Sequence, residues 1–73
     1  MVNSQLQVAL IGCGAISRSH LPNILNTPQM HLRATMDVVE DAARIRAEQG
    51  EAEYHTTDLD RVLSDDRIDA VLI

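Results

Sequence analysis

The sequence has few of the residues that stabilise very small domains. Its single cysteine, Cys13, excludes an internal disulfide, and no paired Cys/His spacing predicts a structural zinc site. Tryptophan and phenylalanine are absent and there is one tyrosine, so a core must be built from aliphatic side chains. With 73 residues, about half of the ~150 in a typical domain, the chain is at most one domain.

Charge and hydropathy exclude several classes of partner. Six basic residues are scattered among eleven acidic ones, giving a net charge of −5, so we expect neither nucleic acid nor an anionic membrane as a partner. No apolar run is longer than Val8 to Ile11, which is far below the ~18 residues of a membrane span, and no Lys/Arg-flanked apolar segment typical of a signal peptide opens the chain. These absences predict a soluble, cytoplasmic protein.

The apolar pattern predicts strands that alternate with helices. A continuous apolar run before Gly12 is typical of a strand buried on both faces of a parallel sheet. Helical spacing begins at Ala15 and stops at residues 26–28. Predicted strands cover residues 5–11, 32–36, 53–55 and 69–73. The second predicted helix covers Glu40 to Gln49, with Gly50 just past its end. The third predicted helix opens on Thr57 as its cap, with Asp60 three residues on.

This order of elements predicts an α/β fold. Strand, helix, strand, helix, strand, helix and strand follow one another with short connections, which builds a parallel sheet through right-handed crossovers. The last predicted strand reaches Ile73, an apolar residue, with no helix to cover it. We therefore interpret residues 1–73 as the N-terminal part of a larger domain whose sheet is incomplete.

A glycine motif follows the first strand. Gly12-Cys13-Gly14-Ala15-Ile16-Ser17 matches the dinucleotide fingerprint G-x-G-x-x-G, with serine in the third glycine position. The first glycine permits a tight turn, and the second lets a pyrophosphate approach the backbone. The amides of Ala15 and Ile16 would then face the pyrophosphate at a helix N-terminus. The alternative is an ordinary strand-to-helix turn that binds nothing.

An acid ends the second predicted strand. Asp37 lies twenty residues beyond Ser17, where a carboxylate can accept hydrogen bonds from the adenosine ribose. It would repel the 2′-phosphate of NADP, and the next residues are Val38 and Val39 rather than an arginine, so NAD is favoured. The alternative is that Asp37 caps the second helix, with Glu40 three residues on.

These motifs together resemble a known family. The segments 8–16, 19–21, 36–37, 54–59 and 68–73 are similar to the N-terminal Rossmann domain of the glucose-fructose oxidoreductase, inositol dehydrogenase and MocA family. The resemblance implies that five residues contact NAD(P): Gly12, Gly14, Ala15, Ile16 and Asp37. We add the neighbouring Val38 to this predicted cofactor site. His20 matches a histidine common in the family's first helix.

The resemblance also implies what the parent protein does. Members transfer hydride between a nicotinamide cofactor and a sugar, polyol or cyclitol, using a lysine of a Glu-Lys-Pro motif and a second α/β domain that forms homo-oligomers. This sequence contains no lysine and neither of those parts, so no catalytic residue is assigned. Two alternatives stay open. One is a non-catalytic nucleotide-binding module. The other is a methyltransferase, but the glycine loop of methyltransferases usually reads G-x-G-x-G, and Ile16 stands where its third glycine would be.

The remaining polar residues have structural interpretations. Cys13 is expected to be a turn residue and His20 a packed or half-exposed helix residue. His31 and His55 have no acid at ligand-like spacing and are expected on the surface. Residues 65–69 are interpreted as a charged turn before the last strand rather than as a metal site.

Overall fold

The computed structural model describes residues 5–12, 14 and 17–73. The predicted alternation of strands and helices is confirmed, with bounds that differ by one or two residues from those expected. The elements are β1 (Leu6–Ile11), α1 (Ser17–Leu25), β2 (Met30–Met36), α2 (Glu40–Gly50), β3 (Tyr54–Thr56), α3 (Leu59–Leu63) and β4 (Ala70–Leu72).

The four strands form one parallel sheet in the order β3-β2-β1-β4. Two strands, β2 and β3, step outward from β1, and α3 then crosses back to place β4 on the other side of β1, which matches the 3-2-1-4 part of the Rossmann strand order. Ile11 of β1 pairs with Met36 of β2, and Met36 pairs with Thr56 of β3. The carboxyl ends of the strands therefore meet at one edge, which we call the carboxyl edge.

The two faces of the sheet carry separate apolar clusters, because the side chains of β1 alternate between them. On one face the strand residues pack against α1, in the cluster Val8, Leu10, Leu21, Ile24 and Leu32. On the other face they pack against α3, in the cluster Ala9, Ala34, Met36 and Val62. These clusters hold the carboxyl edge in place, and all of their members are aliphatic, as the sequence predicts.

An extra residue interrupts the pairing of β1 with β2. Val8 pairs with Leu32 but Ala9 pairs with Ala34, so Arg33 has no partner in β1. Arg33 lies over the ring of Tyr54, on the α3 face of the sheet. The register shift is a β-bulge, and beyond it β2 resumes its alternation in step with β1.

The end of α2 differs from the prediction. Gly50 is the last residue of the helix and is buried, whereas Glu51 takes the left-handed conformation, with φ of 54°. The amide of Ala52 donates to Ala47 O at 2.9 Å and that of Glu51 to Glu48 O at 3.4 Å, which is a Schellman motif. A Cβ on Gly50 would overlap Cδ2 of Leu32, so the glycine serves close packing rather than the turn.

The start of α3 also differs from the prediction. Its N-cap is Asp58, whose Oδ1 accepts a hydrogen bond from the amide of Asp60 at 2.9 Å, and not Thr57. The amide of Asp58 in turn donates to Oγ1 of Thr56 at 3.0 Å. The cap is one residue later than expected because β3 extends to Thr56, one residue beyond its predicted end.

Candidate functional site

The glycine turn continues directly from β1 at the carboxyl edge. Gly12 has φ of 81°, a conformation that L side chains rarely adopt, and its amide donates to Met36 O at 2.9 Å. Gly12 and Gly14 are both exposed, and a Cβ built on either would meet no heavy atom within 4 Å. Internal packing therefore does not require glycine at position 14, and the space above the turn is open to a ligand.

The rest of the predicted fingerprint is only partly covered. Cys13, Ala15 and Ile16 lie outside the described residues. From Ser17 onward the chain is helical, which places the start of α1 directly after the turn. His20, on this helix, is half-buried, as expected for a structural residue.

Asp37 lies next to the glycine turn, because it follows Met36, the partner of Ile11. Its amide donates to Thr56 O at 3.2 Å, and its Oδ1 accepts from the amide of Val39 at 2.8 Å. α2 begins at Glu40, with Val39 as an N-cap residue that makes no side-chain capping bond. The alternative in which Asp37 caps α2 is therefore wrong, although the carboxylate does satisfy one backbone donor, in an Asx turn ahead of the helix.

The valines after Asp37 are largely open to solvent. Val38 is 84% exposed and Val39 58% exposed, so neither contributes to the apolar clusters of the sheet. Exposed apolar side chains beside an acid are unusual in a turn whose only role is structural, since Asp, Asn, Ser and Gly are preferred there. They form an apolar surface next to the carboxylate.

Acidic residues predominate where α2 and α3 leave the carboxyl edge. The first turn of α2 contains Glu40 and Asp41, and that of α3 contains Asp60 after its cap, Asp58. Nε2 of His55 lies 3.8 Å from Oε2 of Glu40. The carboxyl edge therefore combines an open glycine turn with several fixed or exposed carboxylates.

A separate polar cluster lies on the α3 face and was not foreseen from the sequence. Asp65 accepts hydrogen bonds at its Oδ2 from Nε of Arg33 and from the hydroxyl of Tyr54, each at 2.7 Å. The guanidinium carbons of Arg61 and Arg33 lie 4.2 and 5.7 Å from the centroid of the Tyr54 ring. The partners are up to 32 residues apart in sequence, so no local motif signals the cluster.

The protonation of this cluster is shifted by its own hydrogen bonds. The hydroxyl of Tyr54, the amide of Arg67 and Nε of Arg33 lower the pKa of Asp65 to about 2, in that order of effect. Burial, followed by the hydrogen bond to Asp65, raises the pKa of Tyr54. The cluster fixes the turn before β4, which confirms the interpretation of residues 65–69 as a charged turn.

The two remaining histidines each lie beside a glutamate, contrary to expectation. Nε2 of His31 lies 3.0 Å from Oε2 of Glu53, and the partner of His55 is Glu40. Both imidazoles are partly buried, with about a third of the side chain exposed. The members of each pair are distant in the chain, 22 residues apart for His31 and Glu53, so their spacing in sequence does not show them.

Over the described part of the chain, two further kinds of site are absent. No group of three or more His, Cys, Asp or Glu side chains is placed to hold a metal ion within residues 5–12, 14 and 17–73. In the same ranges, no helix has the length and apolar character needed to cross a bilayer.

Comparison with known proteins gives one family and several relatives. The model of an oxidoreductase family with an NAD-binding Rossmann fold matches residues 6–73. An uncharacterised oxidoreductase of Bacillus subtilis strain 168, YrbE, is 32% identical over 72 residues, which are 99% of this chain and 21% of that protein. The chain therefore spans about a fifth of the length of this relative.

Solved structures with the same fold carry either nicotinamide cofactor. GenD2 from gentamicin A biosynthesis, in complex with NAD, is 29% identical with a TM-score of 0.84, covering 96% of this chain and 20% of that one. The 3-ketoreductase KijD10 from Actinomadura kijaniata, in complex with NADP, is 26% identical with a TM-score of 0.85, covering 93% and 22%. The fold is thus shared with proteins several times longer.

Proposed function

Because the chain belongs to the oxidoreductase family with an NAD-binding Rossmann fold, we propose that it holds the adenosine and pyrophosphate part of a nicotinamide dinucleotide. The observation that carries the proposal is the glycine turn. Gly12 has positive φ, and open space lies above Gly12 and Gly14 at the carboxyl edge, beside Asp37. Ligands of open α/β sheets bind at this edge, where the strand order reverses.

The pyrophosphate would lie over the turn. Gly14 has no side chain to keep it from the backbone, and the amides of Ala15 and Ile16 would donate to its oxygens. α1 begins directly afterwards at Ser17, so the positive end of its dipole would face the phosphates. In this arrangement the chain binds mainly through its backbone.

The adenosine ribose would lie against Asp37, with Val38 beside it. Asp37 is held by the amide of Val39, so its carboxylate is presented in a defined direction. We propose NAD rather than NADP, because a 2′-phosphate would meet this negative charge and no arginine follows it. The solved relatives include complexes with each cofactor, so the preference rests on these residues.

The parent protein would be a dehydrogenase or reductase acting on a sugar, polyol or cyclitol. The bound dinucleotide supplies a hydride acceptor or donor at its nicotinamide, while the residues of this chain bind and orient the other half of the molecule. We propose that residues 1–73 are the N-terminal part of the cofactor domain and that a further domain binds substrate and forms homo-oligomers. The cytoplasmic location and the absence of a nucleic-acid partner stay predictions.

Calorimetric titration with NAD, NADP and S-adenosylmethionine tests this function. We expect binding of the dinucleotides, with NAD the tighter, and none of S-adenosylmethionine. Binding of S-adenosylmethionine alone would establish the methyltransferase alternative. Dinucleotide binding without oxidation of any polyol or sugar by the longer parent would instead support a non-catalytic sensing module.

A further inference from the structure

We propose that Asp58 is a second determinant of cofactor charge specificity, acting with Asp37 to disfavour a dinucleotide that carries a 2′-phosphate. The inference rests on the proposed function, since it concerns which nicotinamide dinucleotide the same site accepts. Asp58 lies in the connection between β3 and α3. Neither the glycine motif nor the acid after β2 indicates a role for this connection.

The backbone places the two aspartates on neighbouring strand ends. The amide of Asp37 donates to Thr56 O at 3.2 Å, and the amide of Asp58 donates to Thr56 Oγ1 at 3.0 Å. Thr56 is buried, so this shared partner is fixed in the sheet. Because adjacent strands are ~5 Å apart, we expect the two carboxylates to lie within about one Debye length of each other, ~10 Å at 0.1 M salt.

The carboxylates of Asp37 and Asp58 are each held by a local turn of the same type. Oδ1 of Asp37 accepts from the amide two residues on, that of Val39, at 2.8 Å, and Oδ1 of Asp58 accepts from that of Asp60 at 2.9 Å. These Asx turns tie each carboxylate to the main chain. A ligand that approaches the ribose position therefore meets two charges whose directions are set by the backbone.

The described arginines nearest in sequence to Asp58 and to the first turn of α2 already have partners within the chain. Arg61 stacks on Tyr54, which is at the amino end of β3, away from the carboxyl edge. Arg44 pairs with Asp41 and Glu48. A ribose phosphate with a charge of about −1.5 to −2 at pH 7 would thus be repelled by Asp58 as well as by Asp37.

The test compares Asp58→Asn with Glu48→Gln in the protein. Asparagine is as good an N-cap as aspartate, so α3 should keep its start. Glu48→Gln removes the same charge near the far end of α2, and the glutamine side-chain oxygen can still accept from Nη1 of Arg44. We expect Asp58→Asn to tighten NADP binding by roughly two- to fivefold in 50 mM salt, with NAD changed by less than about 1.5-fold, and the gain to shrink in 0.5 M salt.

Two other outcomes are informative. An unchanged ratio of NAD to NADP affinity in Asp58→Asn, with NAD still bound, would overturn the role of Asp58 and leave the proposed function intact. An equal gain in Glu48→Gln would also overturn it, because the effect would then come from net charge. If the unaltered protein binds neither dinucleotide, the proposed function itself fails.

Discussion

The amide of Gly12 donates to the carbonyl oxygen of Met36 at 2.9 Å, and Met36 is the residue before Asp37. This hydrogen bond joins the turn after β1 to the acid after β2. The proposed contacts to the pyrophosphate and to the ribose are therefore placed relative to one another by sheet pairing, not by two independent loops. For substitutions on either side of this hydrogen bond, we expect the effect on backbone strain and the effect on cofactor binding to be measurable separately.

Gly12→Ala should reduce stability. A side chain at φ of 81° costs about 1–2 kcal/mol, and no packing gain offsets it, because a Cβ there meets no heavy atom within 4 Å. Urea unfolding measures the loss. An unchanged free energy of unfolding would mean that the turn relaxes to another conformation.

Gly14→Ala should leave stability unchanged within about 0.5 kcal/mol and still weaken NAD by tenfold or more. The space above Gly14 is open, so a methyl group would obstruct only a pyrophosphate bound there as proposed. Calorimetric titration alongside unfolding separates the two quantities. Unaltered NAD affinity would show that the pyrophosphate does not lie over this turn.

Asp37→Ala should weaken NAD about 10- to 100-fold, the range for hydrogen bonds to a charged group, and NADP much less. Asp37→Asn is the matched control, because it can still accept from the amide of Val39 and so preserves the Asx turn. Equal losses for both cofactors in Asp37→Ala would mean that the carboxylate only holds the turn.

The C-terminus of α2 gives two opposite predictions for stability. Gly50→Ala should destabilise the fold by about 1 kcal/mol net, because crowding against Leu32 and Leu21 outweighs the gain in helix propensity. Glu51→Gly should stabilise it by about 0.5–1 kcal/mol, since glycine adopts the left-handed conformation at φ of 54° without strain. Thermal unfolding of both variants checks the signs, and reversed signs would place the helix end elsewhere.

The Asp65 cluster predicts an acid-labile contribution to stability. The pKa of Asp65 is about 2 in the folded chain against 3.8 ordinarily, so its ionised carboxylate favours the folded state above about pH 4. The contribution should fall as the pH drops from 4 towards 2, and Asp65→Asn should abolish that dependence while Asp66→Asn keeps it. In Tyr54→Phe, an NMR titration should show the pKa of Asp65 moving up towards 3.8; a constant value would exclude the Tyr54 hydroxyl as its main cause.

Much of the fold is predictable because its signals are local. The apolar run of β1 and the glycines after it identify a buried strand and its turn without knowledge of the partner strands. Features that depend on contacts between distant segments are not predicted from the sequence. Gly50 resembles a helix terminator in sequence, and only the approach of Leu32 shows that it is a packing residue. The Asp58 cap depended on where β3 ends, which pairing with β2 decides.

The candidate site follows the same division. The fingerprint predicts that Gly12, Gly14 and Asp37 lie near one another, because fixed spacing reflects fixed geometry; the structure places them at the carboxyl edge, and their contact with a cofactor stays a prediction. Asp58 was not foreseen, since its place beside Asp37 arises through Thr56. The pairing of Arg33 with Asp65 was equally invisible, because the two residues meet across the α3 face of the sheet.

The bulge at Arg33 makes that arginine an extra residue of β2 relative to β1. Leu32 and Ala34 already face the partners they would have in an uninterrupted strand, since they pair with the consecutive residues Val8 and Ala9. A chain one residue shorter at this point would keep Met36 opposite Ile11 and Asp37 beside the glycine turn. The register at the carboxyl edge is therefore set by the pairs beyond the bulge, while Arg33, the residue without a partner in β1, joins β2 to Asp65.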